Sequence, residues 1–566
     1  RIRERAEGVP LYAVETVRML VDRGALRREG DRYVPVGEVA DLEVPETLQA
    51  LIAGSLDALS QVERSLLQKA SVLGKTFPPA ALAAVSDTSE DELQPLLVGL
   101  VRKELLGVQA DPRSPERGQY GFLQSLVQKV AHDTLSRRDR KALHLGAAAY
   151  LQQNWAAEEG EVVQVIASHY LDAYEADPTA SDAEAIQDDA RDFLTRAGER
   201  AAGLAAQEEA QRYFLRAAQL TSDEAIRADL MLQAGIATDL SGRIGQAEPL
   251  LREAVASFQK VGDVLGEARA TKDLALLLWR SRMIDEGVSL LEHARASLPP
   301  DAPPELRAEL AASLGRVLFF NGRLDDAMPA LEEALELAEA HRLLAVLSDA
   351  MNSKALVLLA RSRWTEGRTL LEGALRVAEE SGVAAVLIRA YGNLAYTFGE
   401  GDLFREGLQM AETGIELARR VGDRDFEWFL QSSAATGHTW LGEWDEALQL
   451  CDEVTASMGE NVSQLIASGL LTPQLTVWVG RGELDHVDPD ELAARADSSD
   501  VQERGMARTE LALLLAGRGE HTAACETARL VIVEDGPVVG IRHPNLRAAL
   551  PIFVGSALAS GQLDAA

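Results

Sequence analysis

Short residues recur along this chain at a fixed interval: Ala247, Gly287, Ala327, Gly367, Gly407 and Ala447 stand 40 positions apart. Each follows Gln or an acid, at Gln246, Glu286, Asp326, Glu366, Glu406 and Glu446. Three positions before each stands a bulky apolar residue (Ile244, Ile284, Leu324, Trp364, Phe404, Trp444), and four positions after it comes Leu251, Leu291, Leu331, Leu371, Ala411 or Cys451. Offsets of three and four place side chains on one face of an α-helix. A second small residue lies twelve positions upstream, at Ala275, Gly315, Ala355, Ala395 and Ala435, which predicts two helices that pack closely. Between them, runs such as 321–326 (NGRLDD) and 441–446 (LGEWDE) supply Gly and Asp for a helix stop and a new start. Each unit is therefore predicted to be a helical hairpin. A hairpin that buries its apolar face only against its neighbours builds a solenoid. Weaker copies at Ala210, Val487, Ala524 and Ala565 extend the expected array to about residues 160–566.

The small and bulky positions 275, 278, 287, 291 and 294, with their copies, resemble the tetratricopeptide repeat family. The usual period of about 34 is longer here, and the additional residues are expected after Ala294, Ala334 and Ala374, in the second helix and the turn that follows. The resemblance implies a right-handed superhelix whose first helices line a concave groove. Matching positions then give Arg269, Lys272, Trp279, Arg280, Arg316, Phe319, Phe320, Asn352, Arg389, Tyr396 and Trp440 as groove-binding candidates. Arg holds a carboxylate with two hydrogen bonds while aromatics bury apolar groups, so this stripe suits an acidic peptide or a small anionic ligand.

The first 150 residues follow another pattern. Residues 44–74 read as two helices, with Ser60 capping before Glu63. Pro78 and Pro79 open a short third helix, and Ser89 caps a fourth running to about Glu104. Strand-like residues then flank the loop DPRSPERG and return at QYGF, so a winged helix with a small β-hairpin is expected. An amphipathic pair, about 123–135 and 137–155, leads into the repeats. GVPLYAVE (8–15), VPETLQALI (44–52), LLQKASVLGKTF (66–77) and YGFLQSLVQKVAHDTL (120–135) resemble the region following the ATPase core of signal-transduction ATPases with numerous domains, especially bacterial multidomain regulators with tetratricopeptide sensor arms. That resemblance implies a nucleotide contact by Pro10, which would pack on adenine. It also implies an upstream ATPase using ATP or ADP with magnesium, and an attached nucleotidyl cyclase, kinase or DNA-binding output domain in the parent protein. The opening RIRERAEG without an initiator Met fits a piece of a longer polypeptide. The expected division is 1–44, a helical or linker segment; 45–155, the winged-helix coupling domain with connecting helices; and 156–566, the superhelix.

Charge sharpens this picture. Residues 1–150 carry 20 Lys+Arg against 21 Asp+Glu, whereas the remainder carries 36 against 68, nearly all of the net −33. Such a surface repels phosphate backbones and anionic lipid. No run of eighteen apolar residues suggests a membrane span, and a cytoplasmic location is expected. Cys451 and Cys525 are too few for a disulfide framework or a thiolate metal site. Gly74-Lys75-Thr76 imitates a phosphate-binding loop, but Lys69 stands where its first Gly belongs and the preceding residues are helical. The nine histidines show no tight ligand spacing, so no metal, resident cofactor or catalytic site is expected. The expected role is non-catalytic: the repeats bind a protein or ligand, and the winged helix couples this to an upstream nucleotide switch in cis. Two alternatives are DNA binding by the winged helix, through Arg102, Lys103, Arg137, Arg138, Arg140 and Lys141, and passive scaffolding.

Overall fold

The computed structural model describes residues 17, 20–21, 26–29, 32–36, 48–109, 117–155, 159–281, 283–458, 464–498, 501–536 and 544–562. These residues are mostly helical and divide into two compact units, Arg1–Ala197 and Gly198–Ala566.

The first unit begins with an antiparallel pair, β1 (Leu26–Glu29) and β2 (Arg32–Pro35), in the register Glu29↔Arg32 to Leu26↔Pro35. This pair stands where a helical or linker segment was expected over 1–44, because four-residue strands are too short to display an alternating pattern. Then come α1 (Leu48–Asp57), α2 (Gln61–Ser71), β3 (Thr76–Phe77), α3 (Pro79–Ser86), α4 (Glu90–Arg102), β4 (Leu106–Val108) and β5 (Tyr120–Phe122). Reciprocal capping boxes start two of the helices. Glu63 N donates to Ser60 Oγ at 3.3 Å and Ser60 N to Glu63 Oε2 at 3.1 Å, and the pair Ser89 and Glu92 repeats the arrangement. Each cap satisfies backbone donors that the first turn leaves without helical acceptors.

The expected hairpin is a three-stranded antiparallel sheet in the order β3-β5-β4, the short β3 arising from Gly74-Lys75-Thr76. Gly74 adopts φ +106° after α2, and Thr76 enters a strand, so this segment stops a helix where a phosphate loop would start one. Phe77, Tyr120 and Phe122 project from the sheet into a core with Leu67, Leu82, Leu97 and Leu100. The unit continues through α5 (Ser125–Asp133), α6 (Arg137–Asn154), α7 (Glu159–Ala176) and α8 (Ala183–Gly203), which runs on past the division.

The second unit is a succession of helical hairpins. Its helices are α9 (Gln207–Gln219), α10 (Glu224–Leu240), α11 (Ile244–Val261), α12 (Val264–Arg280), α13 (Ile284–Ser297), α14 (Pro304–Phe320), α15 (Leu324–His341), α16 (Leu344–Ala360), α17 (Trp364–Ser381), α18 (Ala384–Glu400), α19 (Phe404–Val421), α20 (Arg424–Leu441), α21 (Trp444–Met458), α22 (Gln464–Arg481), α23 (Pro489–Ala496), α24 (Val501–Gly517), α25 (His521–Leu530) and α26 (Pro544–Ala559). Six of them, α11, α13, α15, α17, α19 and α21, begin on the bulky residues read from the sequence. The small residues meet in pairs: a Cβ added to Gly287 would lie 3.1 Å from Ala275 O, at Gly367 3.0 Å from Ala355 O, and at Gly407 3.0 Å from Ala395 O. The extended period resides in long helices, 17 residues in α16 and 18 in α17, and the connection after the second helix is short. The weaker copies diverge. Ala210 and Ala524 are fully buried at the fourth position of their helices, Val487 lies in the bend before α23, and Ala565 falls outside the described residues.

The array also turns back on itself within this unit. Gln207 Nε2 donates to Val421 O at 3.0 Å, Arg280 Nη1 donates to Asp425 Oδ2 at 2.7 Å, and Arg547 Nη2 donates to Asp402 Oδ1 at 2.7 Å. Gly422 sits at this closure with φ +72°, where an added Cβ would lie 2.7 Å from Ala205 O. Gly382, the same turn one repeat earlier, has φ +69° and open space around it. Gly382→Ala is therefore expected to cost about 1 kcal/mol, the left-handed backbone penalty alone. Gly422→Ala should cost distinctly more because backbone must also move. Urea unfolding of the two variants checks this; equal losses would show that the closure is not tightly packed.

Candidate functional site

One register of the first helices carries Asp229, Arg269, Glu309, Asp349 and Arg389, each 40 positions from the next, on α10, α12, α14, α16 and α18. Basic groove candidates consequently meet carboxylates of adjacent repeats. Arg269 lies 3.8 Å from Asp229, and Lys272 Nζ donates to Glu309 Oε2 at 2.8 Å. Buried Arg389 donates to the Asp349 carboxylate, to Asp349 O at 2.9 Å and to Ser353 Oγ at 2.8 Å. Burial alone would raise Asp349, but Arg389, Arg316 and Lys272 hold it below the ordinary carboxylate range. Arg280 binds Asp239 as well as Asp425, so it bridges three hairpins. Sequence reading found the cations and missed these acids, although the same 40-residue register would have exposed several of them.

Arg316 is different. Its Nε is buried with no hydrogen-bond partner among the described residues. Its guanidinium lies 4.8 Å over the Trp279 ring, which stacks on Phe320 at 4.2 Å, with Phe319 edge-on to Phe320 at 4.9 Å. Burial pushes the Arg316 guanidinium down from its ordinary value, and Arg389 and Arg280 push in the same direction. The cation is thus charged in surroundings that favour an added negative group.

The other candidates do not all gather here. Arg269 is three helical turns from Arg280, about 16 Å along α12. Asn352 is buried and accepts from Asn393 Nδ2 at 2.6 Å. Tyr396 and Trp440 are exposed, and Trp440 stacks with Phe404 at 6.0 Å. Pro10 lies outside the described residues. Of the basic residues considered for DNA, Lys103 Nζ donates to Glu63 at 2.8 Å, Lys141 pairs with Asp182, and Arg140 donates to the His132 and Leu135 carbonyls. Three histidines that the sequence kept apart, His132, His144 and His169, converge because α6 packs against α7 and His132, near the end of α5, meets His144. Burial pushes His144 down to about 3 and His169 down to about 4, which leaves both rings neutral.

Asp423 accepts from Phe426 N at 3.2 Å, capping α20, and burial, reinforced by Asp425, pushes its carboxyl up to about 6. A raised carboxyl holds its proton more tightly folded than unfolded. Its stabilisation is complete below the unfolded value of 3.8 and is lost as pH rises through about 6. Asn preserves the cap without the charge. Asp423→Asn is expected to gain about 1–3 kcal/mol at pH 7.5 and almost nothing below pH 4. Urea midpoints at both pH values decide it, and an equal gain at both would contradict the charge argument.

Comparison with known proteins places this geometry in context. The family described as tetratricopeptide repeat matches residues 307–341. No curated protein matches. Among solved structures, a signal-transduction ATPase with a tetratricopeptide repeat sensor from Pyrococcus horikoshii matches over 93% of this chain and 70% of its own, at 12% identity and TM-score 0.43. A Rap protein complexed with competence and sporulation factor matches over 60% of this chain and 96% of its own, at 13% identity and TM-score 0.46. The quorum sensor NprR from B. thuringiensis matches over 65% of this chain and 97% of its own, at 14% identity and TM-score 0.39. The match over residues 307–341 falls on α14 and α15, the hairpin that carries Arg316, Phe319 and Phe320.

Proposed function

We propose that the chain is the regulatory, non-catalytic part of a larger signalling protein, in which a right-handed repeat superhelix binds a peptide or small anionic ligand. The carrying observation is Arg316, buried at Nε without a hydrogen-bond partner among the described residues and lying over Trp279. A carboxylate or phosphate group would supply the missing acceptor while Trp279, Phe319 and Phe320 cover apolar parts of the ligand. Arg280, Arg389 and Lys272 support the site by holding its charge balance and shape, since their own donors are engaged by Asp239, Asp425, Asp349 and Glu309. Pro10 stays within this proposal as a nucleotide contact.

The division 1–44, 45–155 and 156–566 gives the parts their roles. The β3-β5-β4 sheet, packed with α2, α3 and α4 around Phe77, supports reading 45–155 as a winged-helix coupling module. Ligand binding that prefers one arrangement of the repeats shifts the population of that arrangement, and the coupling module passes the shift to an upstream nucleotide switch.

The repeats should capture an anionic ligand from source extract that mass spectrometry identifies. Calorimetry with that ligand should then show Arg316→Leu weakening binding roughly 10- to 100-fold, the range for a charge-assisted hydrogen bond. Unfolding curves would verify that the variant remains folded. Affinity unchanged in folded Arg316→Leu would remove Arg316 from the site.

A further inference from the structure

The convergence of His132, His144 and His169 on three consecutive helices lies outside the repeat site and calls for its own chemistry. His144 Nδ1 is 3.0 Å from His169 Nδ1 and 3.7 Å from Asp172 Oδ2, and the three ligand atoms of His144, His169 and Asp172 lie within 4.8 Å of one another. Two bonds of about 2.0–2.1 Å to zinc at a tetrahedral angle separate their donors by about 3.3 Å. The first two separations bracket that value. Asp172 is half-exposed on α7, so a small rotation of its carboxylate closes the third.

The second ring nitrogens have partners that suit one set of tautomers. His144 Nε2 lies 3.3 Å from His132 Nε2, and His132 Nδ1 lies 3.7 Å from Asp133 Oδ1. If His132 carries its proton on Nδ1, facing Asp133, its Nε2 accepts from His144 Nε2–H. His144 Nδ1 is then left as a lone pair pointing at His169 Nδ1 and Asp172. A ligating histidine that gives its other N–H to a neighbour, itself oriented by a carboxylate, is the outer arrangement that metal sites use to fix the ring. Asp133, Asp172 and Glu175 supply negative charge around the cluster, opposed by Arg140, which the His132 and Leu135 carbonyls hold at 3.5 Å.

We propose that His144, His169 and Asp172 form a binding site for a divalent cation of the zinc class, with His132 as the positioning residue behind His144. Two imidazoles and one carboxylate suit zinc and its neighbours over calcium or magnesium, which prefer all-oxygen shells. Without the cation, one proton occupies the 3.0 Å gap between His144 Nδ1 and His169 Nδ1. The cation takes the place of that proton, which transfers through solvent to His169 Nε2 so that the ring stays neutral, and joins α6 to α7 through metal–ligand bonds. Water completes the coordination.

The test uses the untagged full chain, stripped with a chelator and titrated with Co2+ and then Zn2+. One equivalent of Co2+ should produce visible d–d absorption, Zn2+ should displace it, and Tm should rise with either metal. His169→Gln and Asp172→Asn should each abolish the absorption. Asp172 is half-exposed, so its variant remains folded and reads the ligand role separately from stability. His132→Gln should retain the band with affinity reduced about 10- to 100-fold, and His341→Gln should leave binding unchanged. No absorption beyond that of free Co2+, or a band that survives in both His169→Gln and Asp172→Asn, overturns the site.

Discussion

A Cβ built on Gly367 comes within 3.0 Å of the carbonyl oxygen of Ala355, and the same near-contact recurs at Gly407 with Ala395 and at Gly287 with Ala275. A carbonyl this close to the small position sets how tightly the two helices of a hairpin approach, and Gly or Ala stands at that position in all six repeats. Because the contact repeats every 40 residues, each hairpin presents its first helix to its neighbour in the same orientation. The alignment of Asp229, Arg269, Glu309, Asp349 and Arg389 follows from it. So does the approach of Arg316 to Trp279, since one repeat separates α12 from α14. Loss of a small residue would disturb the electrostatics of the candidate site before it touched any charged group.

That site lives on a balance of charge. Removing two opposite charges from water is expensive, and removing one partner afterwards leaves the other uncompensated. Arg280 illustrates the constraint: Asp239 and Asp425 share it, and burial raises Asp239. Truncating Arg280 would therefore strand two carboxylates in two other hairpins. The same reasoning separates the groove candidates. Arg389 is occupied by Asp349 and Ser353, so its work is architectural, while Arg316 retains unused donor capacity at Nε.

Helix starts were legible because each hairpin writes them the same way: Leu324, Trp364 and Phe404 open α15, α17 and α19 at the predicted positions. Capping by Ser60 and Ser89 was equally local and equally readable. The β1–β2 pair was not, since two four-residue strands depend on pairing with one another and carry no periodic signal. Val487 failed for a related reason, because its spacing continued the register after the helical pattern had ended. At the site, cation positions followed from the repeat, but their occupancy did not. Whether Arg269, Lys272 or Arg316 is engaged depends on acids and rings in other repeats. The histidine cluster was hidden more deeply, as His144 and His169 meet through the packing of α6 on α7 and His132 joins them from the end of α5.

The closure described for the second unit changes how this array must come apart. Where units touch only adjacent units, a solenoid melts progressively from either end. Here the bond from Gln207 to Val421 and the bridge from Arg280 to Asp425 join segments more than a hundred residues apart along the chain. Fraying at one terminus therefore has to open a distant clasp before it can spread. The hairpins between the clasped segments behave as a loop that loses its order in one concerted step, and a ligand that tightens one of them strengthens them all.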